Sequence, residues 1–133
     1  MEAYLSANHF LPDINNELSE RNATYVENFA SLNALVLMLF DQDKTVVPKE
    51  SAWFGSEAVP DNVQEDAQIA MSATTDKVIV PMRRQPLYLE DWIGLKALDE
   101  RGAVILGTCN GEHMQLQRSC WEPVVKTWVG GLQ

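Results

Sequence analysis

The sequence predicts an α/β fold in which parallel strands alternate with helices, and two apolar runs carry that prediction. Residues 34–40 are apolar throughout, and residues 103–108 form a second short apolar run that contains one glycine. Apolar runs of this length, bounded by turn residues, are typical of strands buried on both faces. Helical patterns lie between and around them, and strands that alternate with helices form parallel sheets with right-handed crossovers.

Helical periodicity predicts three helices around these strands. The first follows Asn22, a suitable N-cap residue, and runs to about Asn33. The second has Asp91 as its N-cap and stops at Gly102, because glycine readily takes the conformation that ends a helix. The third has Pro123 in its first turn, where the missing N–H of proline costs nothing.

Two stretches have no clear periodicity. Residues 1–21 are polar and broken by proline and asparagine, so they are interpreted as a loop or short helix that packs on another part of the protein. Residues 56–80 are interpreted as an irregular insertion. Within it, residues 63–71 are expected to form an exposed loop or a short helix, and residues 78–82 a short strand or an extended segment.

Composition limits the classes of protein to consider. The chain has 133 residues with 46% hydrophobic content, which suits a single domain over residues 1–133. Its 19 acidic and 10 basic side chains give a net charge of −9, so nucleic acid is not an expected partner. No apolar run is long enough for a transmembrane segment, and the first residues lack the pattern of a signal peptide.

Two polar side chains follow the predicted strands. Asp43 lies in the loop after the first strand, and His113 lies in the loop after the second. Because open α/β sheets keep their chemistry at the carboxyl edge, we interpret His113 as a general base and Asp43 as the acid that orients it. The alternatives are a histidine that caps a backbone group and an ordinary turn aspartate. Nearby Asp41 is interpreted as a solvated loop residue.

The order of these two residues matches one class of enzyme. In α/β-hydrolases the catalytic serine comes first, then an acid, then the histidine. Asp43 and His113 fit the last two places, but no Gly-x-Ser-x-Gly turn occurs in the sequence. The spacing therefore favours the carboxyl-terminal part of a serine hydrolase. The rival hypothesis is a non-catalytic fragment that serves as a binding or regulatory piece.

Two cysteines flank the histidine loop. Cys109 and Cys120 either bridge this loop or are plain buried residues. Together with His113 they would supply three zinc ligands, but their spacing matches no common zinc motif, so no metal is expected. A separate motif, Asn22-Ala23-Thr24, is an N-glycosylation sequon, which is used only on the secretory route.

Several stretches resemble motifs of the palmitoyl-protein thioesterases of the lysosomal, type 1 kind. The matches occur in the family's order over nearly the whole chain, so together they are far more specific than any one of them. They are FLPDINNE at residues 10–17, NATY at 22–25, DKTVVPKESAWFG at 43–55, LYLEDWIGLKALD at 87–99 and GEHMQL at 111–116.

The resemblance implies an α/β-hydrolase that removes long-chain fatty acyl groups from the cysteines of S-acylated proteins, without a cofactor. It places the catalytic aspartate on Asp43 and the catalytic histidine on His113. It implies a lysosomal or secretory location. The family's nucleophilic serine and oxyanion-hole donors belong to an amino-terminal half that is not in this sequence, so residues 1–133 correspond to the carboxyl-terminal portion and are expected to be inactive alone. Residues 63–77 have no counterpart in the family pattern.

Overall fold

A computed structural model describes residues 2–58, 70–71 and 78–129, and the chain divides into two compact units. One unit comprises Met1–Asn33 and Pro86–Ala103, and the other comprises Ala34–Gln85 and Val104–Gln133. The helices are α1 (Glu2–Ala7), α2 (Leu11–Ile14), α3 (Ala23–Ala30), α4 (Pro86–Leu89), α5 (Leu95–Glu100) and α6 (Arg118–Trp128). The strands are β1 (Leu35–Phe40), β2 (Ser56–Glu57), β3 (Ala70–Met71), β4 (Val78–Val80) and β5 (Val104–Cys109).

Strands β1 and β5 form a parallel pair in the second unit. The register runs from Leu35 opposite Val104 to Phe40 opposite Cys109, so both strands end at the same edge. The predicted strands are thereby confirmed, each within one residue of its predicted bounds. The prediction that both are buried on both faces is wrong. Most of their residues are only partly covered, and Leu106 is 45% exposed, because in the described part of the chain this sheet has only two strands.

A short 3₁₀ helix, Lys49–Trp53, packs against β1. Its last residue, Trp53, directs its indole N–H to the carbonyl oxygens of Leu37 and Gly107, at 3.2 Å from each. These two residues belong to β1 and β5, so one indole spans both strands of the parallel pair. Trp53 is partly buried, and these carbonyl oxygens satisfy the single N–H donor of its indole.

The expectation that residues 56–80 are irregular is wrong for the part that the structure describes. Strands β2 and β3 pair antiparallel with the two sides of β4, and Ile79 at its centre is buried. The β-branched run of β4 suits a central strand and forms the strand expected at residues 78–82. Ala70 and Met71 lie in β3 and not in a helix, while residues 63–69 fall outside the described residues.

Helices α3 and α5 pack together in the first unit. Leu95 and Leu98 of α5 have no exposed surface, and they are the centre of this unit's core. Gly94, just before α5, has a φ of 85°, and a Cβ there would lie 2.6 Å from the carbonyl oxygen of Val26 in α3. Only glycine allows this approach, because it lacks a Cβ and adopts positive φ at little cost.

The predicted N-cap of α5 is wrong. The helix begins at Leu95 and its N-cap is Gly94, three residues beyond Asp91. Asp91 instead adopts a left-handed conformation with a φ of 49°. Its carboxylate accepts hydrogen bonds from the N–H groups of Lys96 and Ala97. These N–H groups have no partner within the first turn of the helix, so Asp91 satisfies them from outside the helix.

The amino-terminal residues form two short helices, α1 and α2. This agrees with the helical alternative of the two predicted for residues 1–21. Asn16, after α2, is buried and left-handed, with a φ of 54°. Its amide donates to the carbonyl oxygens of Asn22 and Trp92 and accepts from the N–H of Asn22 at 2.8 Å. This one side chain therefore ties the amino-terminal segment to the rest of its unit.

Helix α3 has Asn22 as its N-cap, as predicted, and the Asn22 side chain accepts a hydrogen bond from the N–H of Thr24. The helix ends at Ala30, earlier than the predicted residue 33. The hydroxyl of Ser31 donates to the carbonyl oxygen of Asn28, a local bond that competes with the backbone pattern of a helix.

The prediction that Pro123 occupies the first turn of α6 is wrong, because the helix begins at Arg118 and Pro123 lies inside it. Glu122 forms ion pairs with Arg118 at 2.8 Å and with Lys126 at 2.9 Å, each four residues away, and such pairs stabilise a helix. They offset part of the cost of a proline in the helix interior. Among the described residues, no helix has both the length and the apolar character needed to cross a membrane.

Candidate functional site

The structure brings the two predicted site residues together. Because β1 and β5 end side by side, the loops that follow them leave the same edge of the sheet. Oδ2 of Asp43 lies 2.8 Å from Nδ1 of His113, although the two residues are 70 positions apart in the chain. The Asp43 side chain is 8% exposed and the His113 side chain 39% exposed. The arrangement is that of an acid–base pair, and the catalytic role of each residue stays a prediction.

Both oxygens of the Asp43 carboxylate are fixed. Oδ2 bonds His113, while Oδ1 accepts hydrogen bonds from the N–H groups of Thr45 at 2.8 Å and Val46 at 3.0 Å. Asp43 is therefore a turn aspartate and a histidine partner at once. The hydrogen bond from His113 lowers the pKa of Asp43, and the two backbone N–H groups lower it further against the opposing effect of burial.

The contact with Asp43 determines how the His113 ring can work. A carboxylate at Nδ1 favours the neutral tautomer that carries its proton there, which leaves Nε2 as a hydrogen-bond acceptor. Among the residues that the structure describes, none forms a hydrogen bond with Nε2. The His113 side chain is 39% exposed, and an imidazole nitrogen without a protein partner can accept a proton from a hydroxyl group.

The histidine loop depends on a glycine. Gly111 has a φ of 148°, and a Cβ there would lie 3.0 Å from Oε1 of Gln115. That oxygen accepts a hydrogen bond from the N–H of Glu112, which closes the turn around His113. The prediction from chemistry alone overlooked Gln115, and only its place in the GEHMQL motif pointed to it.

The interpretation of Asp41 as a solvated loop residue is wrong. Asp41 is half-buried, and its Oδ1 accepts a hydrogen bond from the N–H of Gly111 at 2.9 Å. The reason is its position, directly after the last residue of β1, where its side chain reaches the loop that follows the neighbouring strand β5. No local pattern distinguishes such an aspartate from an exposed one, since its partner lies 70 residues away.

Cys109 and Cys120 are joined in a disulfide, with their Cα atoms 5.4 Å apart. The bond connects the end of β5 to α6 and encloses the loop that carries His113. Disulfide sulfurs are not thiolates, so neither cysteine is a zinc ligand in this state. Across residues 2–58, 70–71 and 78–129, no group of three or more His, Cys, Asp or Glu side chains is arranged to hold a metal ion.

Comparison with known proteins assigns the chain to a family. The profile of the palmitoyl protein thioesterase family matches residues 1–113. The chain belongs to this family. It is similar to palmitoyl-protein thioesterase 1 of Caenorhabditis elegans, with 42% identity over 119 residues that cover 90% of this chain and 35% of the relative. It is also similar to palmitoyl-protein thioesterase 3 of Dictyostelium discoideum, with 38% identity over 113 residues that cover 85% of this chain and 34% of the relative.

A third relative is the lysosomal thioesterase PPT2 of Mus musculus, with 34% identity over 132 residues that cover 96% of this chain and 38% of the relative. The chain thus spans about a third of the length of the curated relatives that it matches. Membership of the palmitoyl protein thioesterase family implies the α/β-hydrolase fold, and the parallel β1–β5 pair agrees with it.

The bond between His113 and Asp43 predicts a pH dependence of stability. The folded state lowers the pKa of Asp43 below its ordinary value of 3.8, so the unfolded chain binds a proton there more readily than the folded chain. The stabilisation is fully present above pH 3.8 and is lost as the pH falls through the lower folded pKa. We expect the free energy of unfolding in urea, followed from about pH 7 to about pH 2, to fall more steeply for the native sequence than for Asp43→Asn. Equal slopes for the two proteins would contradict the bond.

Proposed function

We propose that the chain is the carboxyl-terminal portion of a palmitoyl-protein thioesterase, and that Asp43 and His113 are the acid and the base of its catalytic triad. The observation that carries this proposal is the 2.8 Å contact between Asp43 and Nδ1 of His113 at the carboxyl edge of a parallel strand pair. The family match over residues 1–113 supports the same reaction class.

The proposed reaction uses the two side chains in sequence. Nε2 of His113 takes the proton of a serine hydroxyl as the serine oxygen attacks the thioester carbonyl carbon. Asp43 accepts the hydrogen bond from Nδ1 and stabilises the imidazolium that forms. The C–S bond breaks, the cysteine thiolate leaves and takes a proton from His113, and the fatty acyl group stays on the serine. His113 then takes a proton from a water molecule as the water oxygen attacks the acyl carbon. The ester C–O bond to the serine breaks, the fatty acid leaves, and His113 returns the proton to the serine oxygen.

The serine of this reaction is proposed to come from the family's amino-terminal half, since no Gly-x-Ser-x-Gly turn occurs in the 133 residues. The proposed substrates are S-acylated proteins, in keeping with the names of the relatives in Caenorhabditis elegans and Dictyostelium discoideum. The lysosomal or secretory location is proposed from the name of the mouse relative. The Cys109–Cys120 disulfide supports it, because structural disulfides persist in oxidising compartments, and so does the exposed sequon at Asn22. Modification of Asn22 remains a prediction.

The purified chain tests the proposal directly. We expect it to release no fatty acid from a palmitoyl-cysteine thioester above background, because an activated nucleophile is needed and the triad serine is not in its sequence. Release is measured with the native sequence and with His113→Ala. Turnover that survives His113→Ala would contradict the triad, and turnover that is lost with His113 would show that another side chain of this chain supplies the nucleophile.

A further inference from the structure

We infer that Asp41 is a positioning residue for His113, through a hydrogen bond to the loop that carries the histidine. The inference rests on the proposed function, in which His113 is the base. Oδ1 of Asp41 accepts from the N–H of Gly111 at 2.9 Å, and Gly111 precedes His113 by two residues. The relevant difference from Asp43 is that Asp41 contacts the backbone of the loop and not the imidazole.

The two loops continue the pairing of the strands that they follow. The N–H of Asp41 donates to the carbonyl oxygen of Cys109, and the N–H of Gln42 donates to that of Gly111, each at 3.0 Å. The side-chain amide of Gln42 donates to Oδ1 of Asn110 at 2.7 Å. In the opposite direction, the N–H of Gly111 donates to the carboxylate of Asp41. Gly111 is thus held by both its carbonyl oxygen and its N–H.

Asp41 is itself anchored on the other side. Nζ of Lys49 donates to the carbonyl oxygen of Asp41 at 2.6 Å, and Lys49 opens the short 3₁₀ helix that packs against β1. The carboxylate therefore projects from a backbone that is fixed by the strand, by Cys109 and by Lys49. A hydrogen bond from an N–H to a charged carboxylate is also stronger than one between neutral groups.

The position of Gly111 makes this bond matter for the chemistry. Its φ of 148° sets the direction in which the chain turns toward His113. Because glycine has no Cβ, its backbone can move to other conformations at little cost. Without the Asp41 acceptor, Gly111 keeps one of its two anchors. A small displacement of the loop then lengthens the 2.8 Å contact between His113 and Asp43, and displacements of about 1 Å are costly in catalytic sites.

The test uses all 133 residues of the sequence with ¹⁵N-labelled histidine and ¹³C-labelled aspartate, and it needs no activity. Nuclear magnetic resonance reports which ring nitrogen of His113 carries the proton at neutral pH and gives the pKa of Asp43. In the native sequence we expect the proton on Nδ1 and a lowered pKa of Asp43, since the His113 bond lowers it. In Asp41→Ala we expect the proton to move to Nε2 and the pKa of Asp43 to rise toward its ordinary value.

Asp41→Asn is the second variant and serves as a control, because its amide oxygen can still accept the hydrogen bond from the N–H of Gly111. We expect it to keep both signatures of the native sequence. Asp13→Ala, which removes an exposed carboxylate from α2, is the matched control for charge and should change neither.

The possible results separate the inference from the function on which it rests. A native chain with no Nδ1 proton on His113 and no lowered pKa of Asp43 would contradict the acid–base pair itself. A native chain with both signatures, retained in Asp41→Ala, would overturn only the positioning role. If Asp41→Ala does not fold, Asp41→Leu, which has nearly the size of aspartate but no acceptor for the Gly111 N–H, takes its place: loss of both signatures supports the inference, and retention of both overturns it.

Discussion

Joined to the part of palmitoyl-protein thioesterase 1 of Caenorhabditis elegans that precedes its matched region, the chain is expected to release fatty acid from a palmitoyl-cysteine thioester, since the matched residues make up only 35% of that relative. In that fusion, His113→Ala should lower kcat by roughly 10⁴- to 10⁶-fold, because the serine then has no base and the leaving group no acid. The loss should appear in kcat more than in KM, since the missing interaction belongs to the transition state. Steady-state kinetics on the purified fusion measure both.

His9→Ala is the matched control for this experiment. His9 is the other histidine of the chain and is exposed on its surface, so its removal should leave kcat and KM unchanged. Equal losses in the two variants would contradict the assignment of the base. A folded fusion that has no activity in any form would favour the rival hypothesis, in which this chain is a non-catalytic binding or regulatory piece.

The second large effect is expected from the disulfide that encloses the histidine loop. Cys109 and Cys120 are 11 residues apart in the chain, and a cross-link that closes a loop of this size typically stabilises the folded state by about 2–4 kcal/mol. Reduction should therefore lower the midpoint of urea unfolding, followed by tryptophan fluorescence. Trp121 and Trp128 lie in α6, the helix that the bond ties to β5, and they report on its release.

The variant Cys120→Ala separates the effect of losing the disulfide on stability from the effect of losing the packing of its sulfur atoms. Cys109 is buried while Cys120 is only partly so, which makes Cys120 the position where loss of the sulfur disturbs least. The variant should unfold at the midpoint of the reduced native chain and should not respond to added reductant. A native chain whose midpoint is the same with and without reductant would show that the bond contributes nothing to stability.

The sequence sufficed to predict the parallel pair because the signal is local. Residues 34–40 and 103–108 are apolar runs of strand length, and their chain order places them in a βαβ pattern. Once those strands are neighbours, the loops after them must meet, and this is why Asp43 and His113 lie in contact. That prediction needed no knowledge of any particular side-chain partner.

Two of the failures concern partners that are distant in sequence, and a third arises within a single helix. Asp41 looked solvated because its acceptor role depends on Gly111, 70 residues away. Strands β2 and β3 have two residues each, too few for any period, and exist only because β4 pairs with both. Pro123 is typical of a first turn, yet it lies within α6, where the ion pairs of Glu122 reach one turn in each direction.

A double-mutant cycle in the active fusion tests the central claim most directly. Asp43→Asn alone should lower kcat by roughly 10⁴-fold, because the amide no longer holds the imidazole in the required tautomer. The variant with both Asp43→Asn and His113→Ala should be no slower than His113→Ala alone, since an acid that acts only through the histidine has nothing left to orient. Losses that multiply, so that the double variant is slower than His113→Ala by the full effect of Asp43→Asn, would contradict the pairing of Asp43 with His113 in catalysis.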